Sequence, residues 1–388
     1  MADPRELTIV LTLKDRAEFT WRWLAYAERV AFPFKVLIAD GGRDETVPRI
    51  LRERGRYPGV DYEYVRYPYD ATYSDYYAKI ADAVARVRTP YVALADNDDL
   101  FAVAGLARSV EFLRVNPDYV ACGGQCAAFW IGPPRAEASG MRLYSRRIEW
   151  KFSNNAHSEA SASARERIRN QSLGADDVFY HVLRTPELAR QLALVKAFDP
   201  SDLFLVEQLV SYLSAIAGKI KQLDTLYIAR QQNSPGSSGG EHQAKFGGWW
   251  GRMLVPTWSR DFGRFLEITA RELARADAID IEEAKRWIVK SYRLSVAPSL
   301  LADILQEETI TPTMPVATQF VRRVVQLPET NIFKRALRAV YRRSRWISFD
   351  AVYATEFLAA PAANAAREFG TIRDFLTGDQ PIGPTSGT

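Results

Sequence analysis

Three aspartates that directly follow a short apolar run carry the strongest chemical signal in the sequence. The run is YVALA at residues 91–95, and Asp96, Asn97, Asp98 and Asp99 come next. Carboxylates placed this close repel one another, and their oxygens are the ligands that Mg²⁺ and Mn²⁺ prefer in proteins. A single aspartate would be enough to cap a helix here. The cluster therefore predicts a divalent-cation site that could hold a diphosphate.

A second acidic turn follows another apolar run, FKVLIA. It reads Asp40-Gly41-Gly42-Arg43-Asp44. The glycines permit a tight turn and a close approach of the backbone to a ligand. Asp40 could accept hydrogen bonds from a nucleobase or a ribose. The alternative is an ordinary glycine-rich turn between a strand and a helix, with Asp44 as the helix cap.

Several polar and cationic side chains fall near the same predicted strand ends. Thr12, Lys14 and Arg16 lie at the end of the first apolar run, and Lys79 lies on a predicted helix that faces the same edge. Lysine and arginine side chains placed there could pair with phosphate oxygens. The alternative for each of them is a surface charge in contact with water.

One glutamate and one histidine are further candidates for chemistry. Glu207 lies in the apolar helical run 203–216, where burial could raise the pKa of its carboxyl group and suit it to act as a general base. A surface position on that helix is the alternative. Of the three histidines, His242 follows a Ser/Gly-rich loop and could be a metal or phosphate ligand, or an ordinary loop residue. His181 is interpreted as a packed residue, and His157 has no assigned role.

The elements that must position these residues alternate between strand and helix patterns in the N-terminal part of the chain. Such repeated units predict an α/β fold with a mostly parallel sheet and helices on both faces. In these sheets, ligands bind beyond the carboxyl ends of the strands, where both acidic turns fall. The predicted strands are residues 7–13, 34–39, 62–67, 91–95 and a segment from 119, and the predicted helices are residues 19–31, 46–56, 74–88 and 103–115.

The rest of the chain divides into an interrupted α/β part and a helical part. Residues 132–173 are rich in Ser, Ala, Arg and Asn and are expected to form a mobile insert. Residues 226–230 predict one more strand, and residues 231–240 predict a polar loop. The predicted units are an α/β domain at residues 1–245, a helical region at 246–380 and a disordered tail at 381–388.

The composition excludes several classes of protein. Of 388 residues, 47% are hydrophobic and 12% aromatic, which favours a folded globular chain over a disordered one. No apolar run reaches the ~18 residues that a transmembrane helix needs. Two cysteines favour a reducing cytoplasm over a disulfide scaffold. The sequence contains no P-loop and no glycine-rich dinucleotide motif, which argues against P-loop NTPases and NAD enzymes.

Charge is distributed unevenly along the chain. The net charge is only +4, yet residues 319–346 carry eight Lys or Arg against one Glu. Within this window, residues 331–346 predict a basic amphipathic helix that suits an anionic membrane surface. A helix face in water or a homodimer contact is the alternative. Because aromatic stacking motifs are absent, no nucleic-acid partner is expected. The expected location is the cytoplasm, with a peripheral position at the inner face of the cell membrane.

The opening of the chain adds a longer motif to the acidic cluster. The pattern LT-x-x-x-R-x-x-x-T-x-R-W-L runs from Leu11-Thr12 through Arg16 and Thr20 to Leu24. With the aspartates, it resembles the nucleotide-diphospho-sugar transferases of GT-A fold. The sequence is most similar to the large inverting family that builds bacterial surface polysaccharides, and the resemblance covers roughly residues 5–235.

The resemblance implies a donor site, a cofactor and an acceptor. The donor would be a nucleoside-diphosphate sugar, with a UDP-sugar favoured, and the acceptor a hydroxyl of a glycan or a lipid-linked molecule. Asp96 and Asp98 match the D-x-D motif, with Asp98 as the principal ligand of Mn²⁺ or Mg²⁺. The candidate residues for the nucleotide sugar are then Thr12, Arg16, Asp40, Lys79, Asp96 and Asp177.

The catalytic base is where the sequence departs from the family pattern. Glu207 falls where the family places its base, often as Glu-Asp or Gly-Asp, but here the pair reads Glu207-Gln208. Asp176 or Asp177 could serve instead. Two other functions therefore stay open, a catalytically inactive GT-A module that binds glycan or scaffolds a polysaccharide complex, and a sugar nucleotidyltransferase. The second usually needs a glycine-rich basic loop near the first strand, which LTLK at residues 11–14 does not supply.

Overall fold

The computed structural model describes residues 4–53, 55–131, 143–145, 148–152, 158–174, 178–307 and 362–378. Several sequence predictions fall outside these residues. They are the basic helix at 331–346, the tail at 381–388, the alternative bases Asp176 and Asp177, and His157.

The fold is α/β, as the sequence predicts, and its centre is one mixed sheet. Within the described residues the sheet has nine strands in the order β3-β2-β1-β4-β8-β6-β9-β5, with β7 paired to β6. The pairings make β1 to β4, β6 and β9 run in one direction and β5, β7 and β8 in the other. The sheet is therefore mostly parallel. The strands are β1 Leu7–Leu13, β2 Lys35–Asp40, β3 Tyr62–Arg66, β4 Tyr91–Asp96, β5 Leu100–Phe101, β6 Tyr119–Ile131, β7 Ile148–Phe152, β8 Val182–Arg184 and β9 Lys219–Gln231.

Helices pack around the sheet, and those that flank the strand ends carry clear capping signals. Helix α3 starts with a capping box in which Thr72 and Asp75 satisfy each other's backbone N–H groups. Helix α7 is capped by Asp202, whose carboxylate accepts from two backbone N–H groups. The helices are α1 Ala17–Arg29, α2 Thr46–Arg52, α3 Tyr73–Arg86, α4 Val103–Val115, α5 Ala164–Gly174, α6 Thr185–Phe198, α7 Leu203–Ala217, α8 Ser238–Phe246, α9 Trp249–Met253, α10 Trp258–Asp277, α11 Ile281–Glu307 and α12 Ala362–Thr377.

The region expected to be a mobile insert contains an ordered helix. Helix α5 packs against α7 and α11. The Arg167 side chain is buried and donates hydrogen bonds to the carbonyl oxygens of Ala215 at 2.7 Å and Ile216 at 2.9 Å, at the end of α7. Helix α5 can be polar in sequence because hydrogen bonds to backbone carbonyls, in addition to apolar contacts, hold it in place. A hydrophobicity pattern does not detect that kind of anchor.

Two other boundaries differ from the sequence expectation. Strand β9 begins at Lys219, well before the predicted residue 226, and the predicted polar loop ends early because α8 begins at Ser238. The long strand follows from its partner, since β6 and β9 pair along most of their length despite irregularities in register.

The helical region beyond residue 246 shares its core with the sheet. Tyr212 of α7 and Phe265 of α10 have ring centroids 5.5 Å apart, and Tyr26 of α1 and Phe375 of α12 have centroids 5.3 Å apart. One cluster of buried apolar residues extends from β1 to α12. Among the residues that the structure describes, no helix combines the length and the apolar character that crossing a bilayer requires.

A close contact between β6 and a buried histidine fixes the middle of the sheet. A Cβ built on Gly123 would lie 2.3 Å from Cδ2 of His181. Burial lowers the pKa of His181 to about 4, so its ring is neutral at pH 7 and packs as an uncharged side chain. Glycine at position 123 is therefore what allows His181 to lie against the strand.

We expect Gly123→Ala to lower the free energy of unfolding by about 1–3 kcal/mol, because the added methyl group overfills this contact. Gly263→Ala in α10 is the matched control, since its Cβ would meet nothing within 4 Å. The control should be neutral or stabilising by up to about 1 kcal/mol through helix propensity. Urea unfolding of both variants measures the difference. A Gly123 variant as stable as the parent protein would contradict the packing described here.

Candidate functional site

A deep cleft opens at the carboxyl ends of β1 and β4. These strands are neighbours, and their register places Thr12 opposite Asp96. The cleft has a volume of about 660 Å³ and is walled by the β1–α1 turn, the turn after β4, the first residues of α7 and the segment that leads into α8. This is the edge of the sheet where the sequence places its acidic cluster.

Asp96, Asp98 and Asp99 converge on this cleft, each offering one oxygen within 4.8 Å of those of the other two. Asp96 is held by two hydroxyl groups. Thr12 Oγ1 donates to one of its oxygens at 3.1 Å and the Tyr180 hydroxyl to the other at 2.6 Å. Neither partner carries charge, so the Asp96 carboxylate is oriented without being neutralised.

The other two carboxylates of the cluster are paired with arginines. Arg16 Nη2 lies 2.9 Å from Asp98 Oδ2, which also accepts a short hydrogen bond from the Ser234 hydroxyl. Arg230 Nε donates to Asp99 Oδ2 at 2.8 Å. Three acidic groups therefore share two guanidinium groups in these contacts.

The pKa values of the three carboxyl groups move in different directions. Burial and the charge of Asp98 raise the pKa of Asp96. Burial raises the pKa of Asp99 to about 7, against the opposing effect of Arg230. Burial also acts on Asp98, but Arg16, the Ser234 hydrogen bond and Arg22 outweigh it and hold the pKa of Asp98 below its ordinary value. Asp98 is therefore the carboxylate most firmly kept in its charged form.

The donor set fits a hard divalent cation. All three side chains offer carboxylate oxygens, and a spread of 4.8 Å is compatible with ligands that each lie about 2.0–2.6 Å from one ion. In the described contacts each oxygen of Asp96 and Asp99 accepts one hydrogen bond and keeps a second lone pair, whereas Asp98 Oδ2 already has two partners. Asp96 and Asp98, the predicted metal ligands, are thus brought together, and Asp99 joins them.

Asp40 does not reach the cleft. Its carboxylate is buried and accepts from the Gly42 N–H at 2.8 Å, the Tyr64 hydroxyl at 2.7 Å and Arg66 Nη1 at 2.6 Å. Protein groups contact both carboxylate oxygens of Asp40, and its contact with a base or ribose stays a prediction. Its observed role is to fix the turn that begins at Gly41.

Lys79 lines the cleft, but its charge is directed into the protein. Its ammonium group donates to the Leu13 carbonyl at 2.7 Å and forms a close ion pair with Asp70. Burial lowers the pKa of Lys79, and the neighbouring Asp70 opposes this shift. Lys79 therefore supports the end of β1, whereas the sequence predicted that it would pair with phosphate.

His242 lies apart from the aspartates. Its Nδ1 is 3.2 Å from the Tyr73 hydroxyl and its Nε2 is 3.3 Å from Asp202 Oδ1. The ring is buried between Phe204 and Phe246, with centroids at 5.2 and 4.7 Å. The structure therefore corrects the prediction of His242 as a metal ligand. The physical reason is that residues 238–246 form a helix whose inner face carries this ring, where the sequence suggested an open loop.

Glu207 is placed on the cleft wall by the second turn of α7. Its charge contributes to the raised pKa values of Tyr76 and Tyr180, after burial and the charge of Asp96. Glu207 thus faces the same cleft as the aspartate cluster. The alternative Asp177 lies outside the described residues.

Some residues of the site were not singled out from the sequence. Arg230 and Ser234 come from the end of β9 and the segment after it, and Tyr180 precedes β8. The sequence places β9 late in the chain, and only the sheet order shows that its end adjoins the turn after β4. Of these three residues, only Arg230 could be recognised from the sequence, as a cation at the end of the predicted strand 226–230.

Comparison with known proteins gives a partial match. No family model matches the chain. Two uncharacterised mycobacterial proteins, Mb1547 of Mycobacterium bovis and Rv1520 of Mycobacterium tuberculosis, are each 31% identical over 98 residues. This match covers 25% of the chain and only 27% of either relative.

Among solved structures, TarS of S. aureus in complex with UDP-GlcNAc is similar with a TM-score of 0.47 and 12% identity, over 79% of this chain and 76% of that chain. The complex of TarS with UDP has a TM-score of 0.39 and 13% identity, over 76% of this chain and 91% of that chain.

The buried Lys79–Asp70 pair gives a stability prediction. We expect Lys79→Met to lower the free energy of unfolding by about 3–5 kcal/mol, because Asp70 would be left buried without its counter-ion. Lys35→Met is the control, since its pair with Glu63 is 42% and 46% exposed and should cost less than about 1 kcal/mol. Adding Asp70→Asn to Lys79→Met should recover part of the loss. Guanidinium unfolding measures all of these variants, and equal losses at Lys79 and Lys35 would refute the assignment.

Proposed function

We propose that the protein is a glycosyltransferase that moves a sugar from a nucleoside-diphosphate sugar to an acceptor hydroxyl. The observation that carries this proposal is the geometry of the cleft. A cluster of three carboxylates, flanked by Arg16 and Arg230, lies at the carboxyl ends of parallel strands, and Glu207 faces the same space. A cation-binding group for a diphosphate and a carboxylate for an acceptor proton are the two parts that this reaction needs.

Asp96, Asp98 and Asp99 would hold Mn²⁺ or Mg²⁺. Such an ion supplies positive charge that stabilises a departing nucleoside diphosphate. Thr12 and Tyr180 orient Asp96 towards the cleft, and Arg22 donates to the Asp98 backbone carbonyl at 2.8 Å, which fixes the turn. These contacts preorganise the donor site before any ligand enters.

Glu207 is the proposed general base. It lies on a wall of the cleft formed by a helix, while the cluster lies at the strand ends. In this proposal its carboxylate accepts the proton of the acceptor hydroxyl, and that oxygen attacks the anomeric carbon from the face opposite the diphosphate. A single in-line displacement of this kind would invert the configuration at that carbon.

The acceptor class and the cellular position are parts of the same proposal. A hydroxyl of a glycan or of a lipid-linked molecule, used in surface polysaccharide synthesis, is the proposed acceptor. The protein would act in the cytoplasm at the inner face of the cell membrane. The basic residues 331–346 and a homodimer contact remain predictions from the sequence.

The donor site can be tested with a panel of nucleotide sugars, beginning with UDP-sugars, by measuring hydrolysis with and without Mn²⁺. We expect Asp98→Ala to reduce cation-dependent hydrolysis at least about 100-fold, because it removes a charged ligand from the cluster. Asp118→Ala is the control, since this carboxylate is exposed and pairs only with Lys219 in the described contacts. Unchanged hydrolysis in the Asp98 variant would sink the cation assignment.

The base can be tested separately from the donor site. Glu207→Gln should leave the affinity for the nucleotide unchanged and slow transfer by about 10²–10⁴-fold, the usual contribution of a general base. Glu166→Gln on the exposed face of α5 serves as the control. Calorimetry with UDP and single-turnover transfer measure the two effects. Transfer at the parent rate would move the base to another residue, and binding without turnover in the parent protein would favour a glycan-binding module.

A further inference from the structure

The turn between β1 and α1 holds two residues in an unusual backbone conformation. Asp15 and Arg16 both have φ near 55°, in the left-handed region that L residues other than glycine avoid. The turn is fastened from two sides. Asp15 Oδ1 accepts from the Arg43 N–H at 2.6 Å, and the Arg16 carbonyl accepts from the Phe19 N–H at 3.0 Å. The structure thus imposes a conformation that these two residues do not favour on their own.

The result of this turn is the direction of the Arg16 side chain. Its guanidinium group lies over the Phe19 ring at 4.4 Å and reaches Asp98 Oδ2 at 2.9 Å. Its other terminal nitrogen is 3.5 Å from the Gly236 carbonyl, a long and weak contact. Arg16 is therefore a cation whose strong polar contact in the cleft is the carboxylate that would be the principal metal ligand.

The two other arginines of the site have partners other than the Asp98 carboxylate. Arg22 is fully buried and donates to the carbonyls of Asp98 and Leu143 and to the side chain of Gln231. Arg230 stacks on the Tyr180 ring at 4.2 Å while it pairs with Asp99. Of these three cations, Arg16 is the one whose ion pair is with Asp98, and its only carbonyl contact in the described residues is the long one.

We propose that Arg16 is an internal counter-ion of the cation site, which holds Asp98 in the free protein and leaves it when a divalent cation binds. Its guanidinium group then pairs with the diphosphate that the cation brings. This inference rests on the proposed function. A cation and Arg16 compete for the Asp98 carboxylate, because two positive charges beside one carboxylate repel each other and each weakens the attraction of the other. The diphosphate carries enough negative charge to attract both.

In this proposal, Arg16 weakens the binding of Mn²⁺ alone and strengthens the binding of UDP in the presence of Mn²⁺. Removing it should tighten the binding of Mn²⁺ alone, because the ion no longer displaces a bound guanidinium group. Removing it should also weaken UDP in the presence of Mn²⁺, because the diphosphate loses one cation. A variant that is merely damaged would bind both ligands less well.

The test is a titration of Arg16→Gln with Mn²⁺ alone, followed by electron paramagnetic resonance of the free ion, and with UDP at saturating Mn²⁺ by calorimetry. We expect the dissociation constant for Mn²⁺ to fall about tenfold and that for UDP to rise about tenfold, typical of losing one partly buried charge pair. Arg43→Gln is the control, because its guanidinium stacks on Tyr69 at 3.8 Å and makes no ion pair with the cluster in the described contacts. The control should change neither constant more than about twofold.

Arg16→Lys distinguishes the loss of the charge from a folding defect. It keeps the charge, so its Mn²⁺ affinity should stay near that of the parent protein and its melting temperature unchanged. Equal or weaker Mn²⁺ binding by Arg16→Gln, or unchanged UDP binding, would overturn the proposal, as would a parent protein that binds no Mn²⁺. If the parent binds UDP with Mn²⁺ and hydrolyses a donor while Arg16→Gln binds Mn²⁺ normally, the proposed function stands and only the counter-ion role fails.

Discussion

The repulsion among three carboxylates in one turn is the constraint on which the site depends. Asp96 ends β4, which pairs with β1 along its whole length, and Asp98 and Asp99 follow directly, so the chain cannot separate the three without disturbing β4. Burial makes the repulsion stronger, because water no longer screens it. Hydroxyl groups contact Asp96, and arginines pair with the other two carboxylates. These partners come from β1, β9, the segment after β1 and the residues before β8. The acidic turn thus determines which strand ends must meet.

The buried ion pair beside the cleft serves geometry more than stability. A buried pair gains little net free energy, because desolvation of both charges offsets their attraction. Lys79 nevertheless reaches across to the last residue of β1, and Asp70 lies so close to Gly41 that a Cβ there would be 2.4 Å from its carboxylate. Together they fix the relative positions of the β1 and β2 ends, and the β1 end is one of the edges from which the site is built.

The sequence predicted local elements well and long-range partners poorly, for a physical reason. The apolar runs that form β1 and β4 and the turn residues after them are local signals, and a cleft lies at the ends of these two strands. The side chains that neutralise the cluster lie far along the chain, and only the order of strands brings them together. The sequence predicts ligand contacts for Asp40 and Lys79, but it does not show which side chains of the protein pair with them. Tyr64, Arg66 and Asp70 supply those partners in the fold.

The burial of His242 is another feature that the sequence does not reveal. A histidine that follows a Ser/Gly-rich stretch is expected to be accessible. Here His242 lies in α8, and its ring is buried beside Asp202. Asp202 also caps α7 and pairs with Arg252. Because Glu207 lies on α7, the buried contacts among His242, Asp202 and Arg252 hold one wall of the cleft in place. One wall of the cleft is therefore fixed by buried contacts. Another is the turn at Arg16, whose left-handed backbone conformation is energetically unfavourable. In our proposal, such an arrangement would keep the scaffold fixed while Arg16 exchanges Asp98 for the diphosphate.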